Sequence, residues 1–358
     1  MNKPTTVVVI RSLSFTGTTW VNVLLGCHPR AFALGPPDRV LGLSYKEGWE
    51  DACRVHGPEC LFWPAFHEVY DPAGNFYRQL AAFAGRDVIV INNPQGGGKG
   101  DKDLYHPDIL LKHVRVVRDG RAVCRSYVRN NPGTDYYHAV KDWFLPSGQA
   151  FDFDEQDPDV LCIRYEDMVE DQFAAMQRFG RFLGLEYPDN FYKFWEFDHH
   201  IISGNASIYG MIRRFREGKP FSGRKRVFYE QAYERLRQNP EKPVYDAAWE
   251  EDLGRRERFV FDYFCGPINA RWGYPRDTFS AGEFRRFSAE IAETSAALPE
   301  EGNVRPLFRG RWVRQVEDIL RRGVFASGRR LRWLVVALAA FYGLSVGAAA
   351  LLGWWLGD

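Results

Sequence analysis

Two stretches of this sequence carry residue types suited to gripping an oxyanion, each at a point where the chain can present them. Arg11-Ser-Leu-Ser-Phe-Thr-Gly-Thr-Thr-Trp20 follows the apolar, β-branched run Val7 to Ile10 and opens a segment of helical character. Thr16, Gly17, Thr18 and Thr19 would offer hydroxyls and backbone N–H groups at the positive end of a helix, and Gly17 lets a phosphate approach closely. A Thr/Gly-rich helix start after a strand also occurs for purely structural reasons. No Gly-Lys-Ser/Thr is present, so this is not a kinase-type P-loop.

The second stretch is His113-Val-Arg-Val-Val-Arg-Asp-Gly-Arg-Ala-Val-Cys-Arg-Ser126. It reads as a strand ending at Arg118, then a helix capped by Asp119, with Ser126 two turns in. Positioning these groups requires a sheet. Short apolar runs recur at Asp87 to Ile91, His113 to Val117 and Val160 to Arg164. Between them, helical periodicity marks Ala73 to Ala84, Gly120 to Arg129 and Phe173 to Leu183. Strands alternating with helices predict an α/β fold with a mostly parallel sheet, whose ligands collect beyond the carboxyl ends of the strands.

With both stretches in hand the chain resembles the sulfotransferases that use 3′-phosphoadenosine 5′-phosphosulfate. In that family a Lys-Ser-Gly-Thr-Thr-Trp-like loop binds the 5′-phosphosulfate, and an Arg and a Ser at the spacing of Arg118 and Ser126 bind the 3′-phosphate. The resemblance implies a three-layer α/β sandwich like that of P-loop nucleoside triphosphate hydrolases, with this nucleotide as co-substrate. Ile163-Arg-Tyr-Glu-Asp-Met168 is similar to the family's Arg-Tyr-Glu-Asp-Leu element and implies that Tyr165, with Trp20, flanks the adenine. His200-Ile-Ile-Ser-Gly-Asn205 and Arg216-Glu-Gly218 resemble weaker late motifs, the second implying donor contacts from Arg216 and Gly218. Arg164, Glu166 and Asp167 read better as residues that hold the fold than as catalytic ones.

The sequence departs from the family where the chemistry occurs. Phe15 stands where the family has the loop lysine that assists sulfate departure. Sulfuryl transfer needs cations and donors around the transferring group, so another cation must serve. Arg11 is the first candidate, and Lys99 or Lys102 the second. Asn92-Asn93-Pro94 stands where the family has Thr-His-Leu-Pro; another branch of the family uses a carboxylate after the first helix, and that resemblance implies Asp38 as the candidate general base, although an N-capping or turn aspartate is equally plausible. His67 and His106 have no positional support. Cys53-x-x-His56-x-x-x-Cys60 has the spacing of half a zinc site, which Cys27-His28 could complete. Sulfuryl transfer needs no metal, and none is assigned.

The 47 basic and 46 acidic side chains nearly cancel, so no global field directs the chain to nucleic acid. Six scattered cysteines suit a reducing compartment. From Trp333 to Gly357 lie 25 uncharged residues, enough to cross a hydrocarbon layer of about 30 Å, preceded by an Arg-rich segment. The expected organisation is an α/β domain over 1–280, a linker over 281–305, a basic juxtamembrane helix on anionic lipid over 306–330, and a transmembrane helix over 331–356. The expected protein is a membrane-anchored sulfotransferase facing the cytosol, acting on a hydroxyl or amine of a small or membrane-presented acceptor such as a lipid, glycolipid or carbohydrate. The rival reading is a nucleotide-binding membrane protein that keeps the donor site without turnover.

Overall fold

The computed structural model describes residues 4–37, 40–41, 49, 52–92, 101–149, 156–221, 226–245 and 247–297. Residues 1–288 form one compact unit. A second unit, 289–358, is described only as far as 297, so the expected juxtamembrane and transmembrane helices lie outside the described residues. Among the described residues no helix is long and apolar enough to cross a membrane.

Five parallel strands make the sheet, in the order β2-β3-β1-β4-β5. They are β1 (Thr5–Arg11), β2 (Ala31–Gly35), β3 (Val88–Asn92), β4 (Ile109–Val117) and β5 (Val160–Arg164). Val7 to Ile10 of β1 are each at 0% exposure. A strand buried on both faces reads as an unbroken apolar run rather than an alternating one. Its register runs Val8↔Val90 on one side and Val8↔Lys112 on the other. The chain leaves β1 towards β3 and β2, then returns to build β4 and β5 on the opposite side. The direction therefore reverses at β1, and the crevice of such a sheet opens at the carboxyl ends of β1 and β4.

Helix α1 (Thr18–Leu25) follows β1 and packs its apolar face on β2 and β3. Helices α2 (Phe62–Val69) and α3 (Phe76–Ala84) lead to β3, and α4 (Gly120–Asn130) follows β4. After β5 come α5 (Tyr165–Glu170), α6 (Gln172–Leu183), α7 (Ala206–Glu217) and α8 (Arg226–Gln238). A short turn of helix, Ala248–Asp252, is followed by α9 (Arg255–Arg271). The stretch expected as a linker begins with a helix, α10 (Ala281–Ala297). Its Phe284 and Phe287 pack on Phe259 of α9, and Arg255 pairs with Glu283 at 2.8 Å.

Candidate nucleotide site

Gly17 caps α1 with φ +85°, and no side chain caps the helix. The helix-type bonds begin with the Val21 N–H onto the Gly17 carbonyl at 3.1 Å. Gly17, Thr18, Thr19 and Trp20, whose N–H groups precede that bond, line a cavity of about 650 Å³. A helix start with this composition binds anions through N–H groups and dipole together. Glycine is obligatory at 17 on two counts. The positive φ strains any L side chain, and a Cβ would lie 2.7 Å from Cε2 of Tyr165.

Arg118 follows the last residue of β4 and is 7% exposed. Its Nη1 donates to the Phe15 carbonyl at 2.9 Å, and its guanidinium lies 4.7 Å from the centre of the Tyr165 ring. Ser126, in α4, lines the same cavity. Trp20 meets Tyr165 edge to face, at 5.9 Å between centroids and 73° between planes. Both rings line the cavity. The two motifs that the sequence separates by some hundred residues thus share one chamber, with the aromatic pair beside them.

The position of Arg118 is fixed from beneath. The neighbouring Asp119 caps α4 by accepting from the Arg121 N–H at 2.9 Å. Buried Arg121 folds back onto Asp119 at 2.6 Å and reaches Asp277 at 2.7 Å. Asn269 of α9 donates to Asp119 and accepts from the Gly120 N–H at 2.8 Å. The Asp119 N–H donates to Glu166 at 3.2 Å, and Glu166 also accepts from the Tyr274 hydroxyl. Burial raises the pKa of Glu166. Arg164 lies over the Tyr274 ring at 4.4 Å and 3.6 Å from Asp167. The Arg-Tyr-Glu-Asp element is therefore a scaffold, apart from Tyr165.

The side chains of other expected site residues are engaged elsewhere or lie away from the cavity. The Thr16 hydroxyl turns inward, donating to the Leu13 carbonyl at 2.7 Å and contacting Ser12 Oγ, so only its backbone is available to the loop. The Thr19 hydroxyl accepts the Asn205 N–H at 3.0 Å, joining α1 to the start of α7. Arg216 does not reach the cavity. Its guanidinium donates to the carbonyls of Trp195, at 2.6 Å, and Phe197, which holds α7 to that segment. Gly218 is the left-handed C-cap of α7. The late Arg-x-Gly motif is thus a helix stop. Arg11 is also outside the cavity lining; its charge acts on His113, whose pKa burial and Arg11 together lower to about 4. Asp38 and Lys99 lie outside the described residues, and Lys102, His67 and His106 do not line the cavity. Cys27 donates to the Val23 carbonyl, and His28 packs on Tyr187, so neither joins Cys53.

Phe15 keeps the backbone of the loop in an unusual state. Among the described residues it is the one non-glycine with positive φ, +71°. Its ring lies edge-on to Tyr127 and Trp143, which stack at 4.4 Å. The lysine position is occupied by an aromatic anchor whose carbonyl holds Arg118. The described cavity lining has two cations, Arg118 and Arg129, and no carboxylate. Arg129 and Asn130 are site residues that the sequence reading passed over, although Arg129 is one turn beyond Ser126 on the same helix face. The lining also includes Gly204 to Ile208, Met211, and Phe228, Tyr229, Ala232 and Leu236 of α8. The chamber thus has a cationic, N–H-rich end and an apolar wall.

No protein-family model matches the chain, and no curated protein matches it. Solved structures do. The sulfotransferase domain of the curacin biosynthetic pathway shares 13% identity over 77% of this chain and 100% of its own, at a TM-score of 0.46. The sulfotransferase domain of a Synechococcus olefin synthase shares 17% identity over 69% of this chain and 97% of its own, at 0.43. A mouse sulfotransferase complexed with PAP shares 13% identity over 82% and 90%, at 0.39. All three are sulfotransferases. What this chain does has to be read from its own site.

Proposed function

We propose that this protein is a sulfotransferase that takes a sulfuryl group from 3′-phosphoadenosine 5′-phosphosulfate. One observation carries the proposal: an uncapped glycine-started helix and the Arg118/Ser126 pair line one cavity, with Trp20 and Tyr165 beside them. A nucleotide with anionic groups at two positions of its ribose and an aromatic base fits that arrangement. The N–H groups of Thr18 to Trp20 would hold the phosphosulfate, Arg118 and Ser126 the 3′-phosphate, and the two rings the adenine. Arg118 enters already oriented by the Phe15 carbonyl and the Tyr165 face, so little ordering is left for binding. In-line transfer would then depend on donors aimed at the developing charge.

The apolar wall from Met211 and α8 supports a hydrophobic acceptor, consistent with the proposed membrane attachment through residues 331–356 and a cytosol-facing body. A nucleotide-binding protein without turnover is the second reading, favoured by Phe15 in the lysine position and the absence of a carboxylate from the described lining. Titration with adenosine 3′,5′-bisphosphate tests the shared part. Binding that Arg118→Ala weakens about 10- to 100-fold, the worth of one to two charged hydrogen bonds, is expected. No binding by the unaltered protein refutes both readings. Transfer of labelled sulfate to a membrane extract then separates enzyme from binder, and protease protection in sealed vesicles tests the orientation.

A further inference from the structure

Away from the nucleotide cavity, four side chains with metal-binding atoms converge. Cys53, His56 and Cys60 lie between β2 and α2, and His200 arrives 140 residues after Cys60. Their ligand atoms all lie within 4.8 Å of one another. Cys53 Sγ is 3.5 Å from His56 Nδ1, and Cys60 Sγ is 3.3 Å from His200 Nδ1. Bonds of about 2.3 Å to sulfur and about 2.0 Å to nitrogen at tetrahedral angles require sulfur–nitrogen edges of about 3.5 Å. The two edges, 3.5 Å and 3.3 Å, are close to that length.

The surroundings match as well. Both histidines turn Nδ1 inward and Nε2 outward, and one carboxylate meets both outer nitrogens. Asp198 Oδ2 is 3.0 Å from His200 Nε2, and Oδ1 is 3.4 Å from His56 Nε2. A carboxylate there holds each imidazole with its inner lone pair available to a metal. The His56 N–H points at Cys53 Sγ at 3.3 Å, a bond that a thiolate strengthens. Two thiolates neutralise a dication, and Arg216, 3.3 Å from His56 Nε2 and 4.0 Å from Asp198, offsets the carboxylate. The His200 ring stacks on Phe62 at 4.4 Å, which shields that side.

We propose that Cys53, His56, Cys60 and His200 form a tetrahedral Cys2His2 site for a structural zinc ion. Four protein ligands leave no open position, so the ion supports the fold and takes no part in catalysis. On binding, each thiol loses its proton to solvent and each sulfur donates a pair to the metal. The ion fastens the segment after β2 to residues 198–205, an attachment that the Arg54 N–H to Ile201 carbonyl bond at 2.7 Å already begins. That segment ends at Asn205, whose N–H meets Thr19, so the site braces one wall of the nucleotide cavity.

The test uses the full-length protein, made in zinc-supplemented medium without a polyhistidine tag. One zinc per chain that survives dialysis is expected, with X-ray absorption showing two sulfurs at about 2.3 Å and two nitrogens at about 2.0 Å. Cys60→Ser and His200→Ala should lose the ion, and Cys162→Ser should keep it. The absorption shell of the unaltered protein decides the matter even if those variants fail to fold. Zinc that dialysis removes, a shell of oxygen and nitrogen alone, full zinc in Cys60→Ser, or a Cys53–Cys60 disulfide in the unreduced protein would each overturn the assignment.

Discussion

Gly17→Ala against Gly85→Ala isolates what the loop after β1 needs from its glycine. Both residues have positive φ at a helix end, +85° and +64°. They differ in what a Cβ would meet: Tyr165 Cε2 at 2.7 Å and Cδ2 at 2.8 Å for Gly17, and nothing within 4 Å for Gly85. An alanine in the left-handed region costs about 1–2 kcal/mol, partly offset by about 0.4–1 kcal/mol from a stiffer unfolded chain. Gly85→Ala should therefore lose about 1 kcal/mol. Gly17→Ala carries the same backbone cost plus about 1–3 kcal/mol for forcing the Tyr165 ring aside. That ring faces Arg118 at 4.7 Å and Trp20 at 5.9 Å, so its displacement disturbs both ends of the site. Equilibrium urea unfolding should show Gly17→Ala less stable than Gly85→Ala by the steric difference, and the dissociation constant for adenosine 3′,5′-bisphosphate should rise at least about tenfold in Gly17→Ala alone, a change of about 1.4 kcal/mol. Adding Tyr165→Ala to Gly17→Ala should recover most of the steric part of the stability loss, as a double-mutant cycle would report. If Gly17→Ala is no less stable than Gly85→Ala and binds equally well, the close packing of Gly17 on Tyr165 is wrong.

Asp119→Ala strips a buried partner from Arg121 and the cap from α4, and should cost about 3 kcal/mol in urea unfolding; a loss below about 1 kcal/mol would contradict that role. His113 supplies a pH test. Its folded pKa, about 4, lies below the unfolded value of about 6.5, so its contribution is complete above about pH 6.5 and is lost as pH falls through 4. Because the ring is only partly buried, the loss is about 1–2 kcal/mol, and His113→Gln should flatten stability over that interval. Phe15→Lys restores a cation at the loop; if no other group supplies it, kcat rises at least about tenfold, and an unchanged kcat locates the cation elsewhere.

The glycine-started helix after β1, the Arg118 strand and four of the five strands were legible because each depends on local pattern: an apolar run, a turn, a helix start. β2 was not, since Ala31-Phe-Ala-Leu-Gly35 has little β-branched character and is a strand through its pairing with β3. The late Arg216 and Gly218 misled for the opposite reason. A basic last turn and a following glycine are what any helix end uses, so their types do not distinguish a phosphate clamp from a C-cap. The Ala- and Glu-rich stretch after Ser280 was read from composition, whereas the helix propensity of those residues, together with Phe284 and Phe287, points to α10. His200 could not be paired with Cys60 from spacing, because chain separation says nothing about contact between them.

The cavity borrows from the loop after β1, from α4, from Tyr165, from the start of α7, from α8 and from Pro243 and Val244 beyond it. No contiguous piece of chain contains it, so the pocket exists only when nearly the whole unit has folded. Nucleotide occupancy is therefore a report on global folding. A ligand at 100 times its dissociation constant would add about 2.7 kcal/mol to the stability of the entire unit. Under the proposed function, cells that keep the nucleotide abundant would hold more of the chain in its native state, which would couple the amount of protein to the supply of that nucleotide.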